Sequence, residues 1–317
     1  MGSRASALTL SLLMLFGTLV APALADGDWP ETGERDHPPE EGSASVIDLL
    51  VIYPEPETGS THIDDLSDDY GETTVDGYLS SLFEHVNGNY NRSGVGAEFS
   101  LLPSMQVNMS NLDDDWKARL SSALMNPELS YNADYIAELN AIRNSTYADV
   151  ILYWRQSGDG GPGAPGASAV PAEENEAYVQ ITHSRMNPYI VSHELGHLMG
   201  GEHLVGIQIA ANVSVDGGDF QEYEVRSLMT SQVSGLDKDL DLIRLWTFSD
   251  ANATVNGEFP CSDDLEPSIC IFAEETPLGN ASRSNVYLMR LRASIMAGFR
   301  TQLNAFGEFA AAVSDLH

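Results

Sequence analysis

The chain has 317 residues, 43% of them hydrophobic, enough for one large domain or two small ones with a sizeable core. Its 47 acidic residues against 15 basic ones leave a formal charge of −32. A field of that sign repels nucleic acid and anionic membrane and excludes both as partners; it favours solubility and makes self-repulsion strongest at low ionic strength.

Residues 7–25, ALTLSLLMLFGTLVAPALA, are the only long apolar run. Arg4 precedes it, and Ala23-Leu24-Ala25 closes it with the small-x-small pattern that signal peptidase cuts. Residues 1–25 therefore read as a secretory signal peptide, an uncleaved anchor being the alternative. The expected location is extracellular or periplasmic, with no stable membrane insertion after cleavage. Residues 26–44 are acidic, Pro-rich and poor in aliphatics, which fits a flexible leader or short pro-segment. The domain proper is expected over 45–317.

SVIDLLVIYPE (45–55) has the near-continuous apolar run of a buried strand, ended by Pro54. Leu79, Leu82 and Val86 have helical spacing within 75–95, and AEFSLLPSMQV (97–107) reads as one strand. Helices are expected over 113–125 and 132–144, each opened by an Asp or Asn that can cap free N–H groups. ADVILYWRQ (148–156) is a strand, and 157–176 is a Gly- and Pro-rich surface loop lacking the Lys-Ser/Thr ending of a phosphate cradle. AYVQIT (177–182) alternates as a short strand, and a helix is expected over 187–199. An amphipathic helix over 284–303 is capped near Ser284 or Asn285. Interspersed strands and helices favour an α/β or α+β domain. Cys261 and Cys270 form a near pair, expected to be a disulfide in an exported protein, with two reduced thiols as the alternative.

The stretch VSHELGHLMGGEHL (191–204) holds three of the eight histidines. On a helix His193 and His197 share a face and can grip one ion. Zinc prefers tetrahedral nitrogen, oxygen and sulfur ligands, and two imidazoles one turn apart suit it. Glu194 is displaced around the helix, so it is free to act as a base toward a water at the metal. Gly200 can take the left-handed conformation that ends a helix and lets His203 return as third ligand. A helix with incidental imidazoles is the bland alternative, but the five-position spacing is strict.

HELGHLMGGEH resembles the motif of the metzincin zinc endopeptidases. VRSLMTS (225–231) resembles their Met-turn, with Met229 beneath the metal. VIDLLVIYPE, LWTFSDANATVNG (245–257) and NVYLMRLRASIMAGFR are similar to segments of the bacterial reprolysin-like, ADAM-like branch. The resemblance implies an α+β domain with an α/β-like upper lobe (about 45–200) of twisted mixed sheet and active-site helix. The lower lobe (about 201–317) would hold His203, the Met-turn and the C-terminal helix. It further implies one catalytic zinc on His193, His197 and His203, and hydrolysis of a protein or peptide substrate with Glu194 as catalytic base. Substrate would lie along an edge strand, for which AYVQIT is the candidate, and a monomer is expected. Leu204 stands where reprolysins usually have Asp. Ser231 stands where a ligating Tyr occurs in astacins and serralysins, so no such ligand is expected. With no cysteine before Cys261, a cysteine switch is excluded; any latency would use an acidic residue of 26–44 against the metal.

DKDLD (237–241) spaces Asp like the start of a calcium loop, but Leu242 and Phe248 stand where Gly and Glu belong. A solvated acidic face is the reading, with an irregular Ca2+ site as the weaker one. His183 reads as structural or substrate-lining, and Asn91, Asn108, Asn144, Asn212, Asn252 and Asn280 open glycosylation sequons. The rival from another class is a secreted zinc-binding or adhesion protein that keeps the metzincin fold without turnover; the intact Glu194 speaks against it.

Overall fold

Strand β1 (Ser45–Pro54) runs through a largely parallel sheet. Its apolar run is continuous because both faces are covered. Ile47, Leu49 and Val51 face one core, Leu50 and Ile52 the other, all essentially inaccessible. Fully burying such a side chain contributes roughly 1.5–3 kcal/mol. This computed structural model describes residues 44–54, 74–107, 133–155, 166–168, 172, 176–182, 186–230, 240–263, 266–280 and 284–299. The signal and leader readings, the 113–125 helix, His183, most of 237–241 and the end of the 284–303 helix lie outside them.

Helix α1 (Val75–Arg92) starts where Thr74 accepts a hydrogen bond from Gly77 N, and packs Leu79, Leu82, Phe83 and Val86 onto the sheet. The single strand expected over 97–107 is two, β2 (Ala97–Leu101) and β3 (Met105–Val107), both parallel to β1. Pro103 lies between them and has no N–H to give a ladder. Helix α2 (Ala133–Thr146) and β4 (Val150–Arg155) follow. Within the stretch expected to be loop, Gly166–Ser168 forms a short strand, β5, antiparallel to β6 (Tyr178–Thr182). The order is β2-β1-β4-β6-β5, with β3 also on β1. AYVQIT is thus not the edge: β6 has β4 on one side and β5 on the other. Its burial on both faces and both edges was masked by its brief alternation.

Helix α3 (Pro188–Leu198) begins after Asn187, whose side chain accepts from Ile190 N, with Pro188 preset for the first turn. Beyond it the sequence carries no clear strand signal, yet the chain builds a closed five-stranded barrel. Its strands are β7 (Gln208–Val215), β8 (Gln221–Arg226), β9 (Leu242–Leu245), β10 (Thr254–Asp263) and β11 (Glu266–Pro277). The barrel encloses its own core of Val213, Val225, Ile243, Leu245 and Phe272. Helix α4 (Asn285–Met296) returns to pack Val286, Met289, Ala293 and Met296 into the sheet's core, against β1 and β2. The content is α+β, a parallel sheet with helices followed by a barrel. Among the described residues no helix is long and apolar enough to cross a membrane.

Cys261 and Cys270 are bonded, joining β10 to β11 inside the barrel. Closing so short a loop contributes about 2–3 kcal/mol. Reduction should therefore lower the melting temperature, and the unreduced, denatured chain should show no titratable thiol. Two reactive thiols would disprove the bond.

Candidate metal centre

Helix α3 is buried almost all round, with Val191, Leu195 and Leu198 fully inaccessible. Its position is fixed from α1: Asn89 Nδ2 donates to Ser192 Oγ at 3.0 Å, and Tyr90 Oη donates to Ser192 O at 3.0 Å. His193 and His197 follow one turn apart. The helix then stops. Gly200 takes φ +83°, and the N–H groups of Gly200 and Gly201 close onto the carbonyls of His197 and Gly196 at 2.8 and 2.9 Å. The reversed chain carries His203 on a short 3-10 turn, His203–Val205, back to the other two.

The ligand atoms of His193, His197 and His203 all lie within 4.8 Å of one another. His203 Nε2 is 2.9 Å from His193 Nε2 and 3.1 Å from His197 Nε2. The tautomers of the first two follow from their partners. His193 Nδ1 is 2.6 Å from Leu228 O, and His197 Nδ1 is 2.8 Å from Gly201 O. A carbonyl only accepts, so both Nδ1 atoms carry the proton and both Nε2 lone pairs face the shared point. Burial keeps the rings neutral. It pulls His193 down to about 4, aided by His203 and opposed by the Leu228 carbonyl, and His197 down to about 3. Burial also lowers His203, the most exposed of the three.

Three neutral imidazole nitrogens so placed can hold a metal ion, and they suit zinc. Tetrahedral ligands at about 2.0–2.1 Å lie roughly 3.3 Å from each other, close to the 2.9 and 3.1 Å that separate His203 Nε2 from the other two. Glu194 is buried beside them, 6% exposed, and burial pushes its carboxyl up to about 7, offset in part by Ser168. Ser168 Oγ, on β5, lies 2.9 Å from Glu194 O and 3.3 Å from Glu194 Oε2. Sequence reasoning missed Ser168. The only signal was the alternation GASAV emerging from a glycine-rich run.

Met229 is fully buried against α3. Its Sδ lies 2.9 Å from where a side chain at Gly196 would begin, and its Cε 3.2 Å from the same point at Gly201. Phe248 Cε1 is equally close to that point at Gly196, and the Gly196 carbonyl oxygen is nearer still at Gly201, both at 2.9 Å, so methionine, phenylalanine and backbone together leave no room for a side chain at either glycine. The preceding residue, Leu228, orients His193 through its carbonyl, which also accepts from Tyr189 Oη at 3.3 Å. This turn is fixed by the barrel. Leu228 N bonds Thr247 O at 2.8 Å, Ser227 N bonds Ile207 O at 3.1 Å, and Thr230 Oγ1 donates to Ile207 O at 2.8 Å. Cys261 and Cys270 are in the barrel rather than at this centre.

No protein-family model matches the chain, and no curated protein matches it in sequence. A chain in the structure of a chaperone-substrate complex matches 81% of this one at 12% identity and TM-score 0.50, a likeness of fold. This chain spans only 35% of that one's length. Metalloproteinase-II from Bacteroides fragilis matches over 52% of this chain and 45% of its own, at 14% identity and TM-score 0.27, too low to establish a common fold.

Gly206 tests the packing beneath the centre. A Cβ there would meet the backbone N and Cα of Thr230 at 2.8 Å. Gly206→Ala should therefore destabilise the metal-free protein by about 1–3 kcal/mol, read as a lower melting temperature. An unchanged melt would contradict the close approach of the two segments.

Proposed function

We propose that this chain is a zinc-dependent endopeptidase of metzincin type, in the reprolysin-like branch, acting outside the cytoplasm. The observation that carries the reading is the convergence of three imidazole Nε2 atoms, two of them from a helix whose next residue after His193 is the buried Glu194. A zinc ion held there supplies Lewis acidity to the scissile carbonyl and to the attacking water. His193, His197 and His203 are the residues that would hold it. Glu194 follows His193 directly and so points off the ligand face. It is free to take a proton from water and pass it to the departing amine nitrogen. Ser168 hydrogen-bonds the Glu194 side chain and restricts where its carboxylate sits.

Ser168 also belongs to β5, which pairs with β6 on one side and with no strand on the other among the described residues. A substrate peptide would add there as a further strand, its backbone running past Glu194. The sheet with its helices then corresponds to the family's upper lobe and the barrel-bearing segment to its lower one, with Met229 as the Met-turn. Export rests on residues 1–25 and is supported by the Cys261–Cys270 bond.

Metal content and peptide hydrolysis, measured on the same preparations after removal of residues 26–44, decide the matter. Chelation should abolish cleavage and zinc should restore it. Glu194→Ala should keep about one zinc per chain while losing at least about 10²-fold in cleavage. His203→Ala should instead bind zinc weakly, since a two-imidazole site is incomplete. A wild type that holds zinc yet cleaves no peptide would be the binding or adhesion protein, and full activity in Glu194→Ala would remove Glu194 from the mechanism.

A further inference from the structure

Asn285 opens α4 and is fully buried. The cap of that helix is Ser284, whose Oγ accepts from Tyr287 N at 3.4 Å, so the Asn285 side chain is not needed there. It is used 83 positions back in the chain. Its Oδ1 accepts from Glu202 N at 2.8 Å, and its Nδ2 donates to Glu202 O at 3.2 Å. One side-chain amide thus takes both backbone polar groups of a single residue, as a strand would. Glu202 immediately precedes His203. On the far side of His203, Val205 O accepts from Ser249 Oγ at 3.0 Å, and that oxygen accepts from Asn285 N at 3.0 Å. The turn that carries the third imidazole is gripped at both ends from the start of α4.

The other two imidazoles need no such grip. His193 and His197 are spaced by the pitch of α3, and each donates Nδ1–H to a carbonyl. His203 stands on a three-residue turn, and its Nδ1 makes no hydrogen bond among the described residues. Its place therefore follows from the backbone of 202–205, which Asn285 and Ser249 hold.

We propose that Asn285 is a positioning residue for His203, so that docking of α4 completes the metal site. The inference rests on the metal-binding part of the reading above and not on peptide cleavage. The test is zinc affinity of the full chain, by competition with a chromophoric chelator. Asn285→Asp keeps size and the acceptor for Glu202 N–H, but sets an oxygen against Glu202 O. Affinity should fall roughly 10–100-fold, the usual loss when the support of a ligand is removed. Ser284→Ala weakens α4 without touching Glu202 and should leave affinity close to wild type. In a His203→Ala background, Asn285→Asp should cause no further loss, because the ligand it places is gone. An equal loss with and without His203, or an unchanged affinity in Asn285→Asp, would overturn the proposal. If Asn285→Asp does not fold, Ser249→Ala takes its place in the same cycle, with the same expectation. A wild type that binds zinc in this way but cleaves nothing would sink the peptidase reading alone.

Discussion

Three neutral imidazoles pressed together at a largely buried site are the constraint on which the rest of the structure turns. With the Nδ1 protons of His193 and His197 committed to carbonyls, their Nε2 lone pairs face the same small volume as His203 Nε2. Such lone pairs repel one another in low dielectric unless a proton or a cation lies between them. Only a rigid frame keeps them there. Part of that frame is α3, held from below by core side chains and from the side by Asn89 and Tyr90 through Ser192.

The remainder of the frame is the barrel. Hairpin β7–β8 lies between His203 and Met229 in the chain, and β9–β11 lie between Met229 and α4. Closing the barrel brings Ile207 and Thr247 to either side of Ser227-Leu228, which pins the turn that orients His193. Helix α4 then secures the His203 side. Segments distant in sequence thus place His193 and His203, while His197 is held locally by Gly201.

How much of this was legible depended on whether the cause was local. The spacing of His193, His197, Gly200 and His203 is a local pattern, and the geometry follows from helix pitch and one left-handed glycine. Strands β1 and β4 and helices α1 and α3 likewise came from runs and periodicity. The barrel did not. Its strands carry acidic residues and a sequon asparagine on the outward face, Glu222 and Asn212 among them, and its closure needs β11 to return to β7 from tens of residues away. The edge strand was misplaced for a related reason. Gly166–Ser168 has no apolar run to betray it, and AYVQIT looked like an edge while being enclosed on both sides. Asn285 was legible only as a cap, since its real partner is Glu202.

X-ray absorption at the zinc edge of the zinc-loaded, wild-type chain tests the central claim most directly. The account predicts three imidazole nitrogens and one non-protein oxygen, at about 2.0–2.1 Å. A spectrum with two imidazoles or fewer, or a chain that retains no zinc, would contradict it.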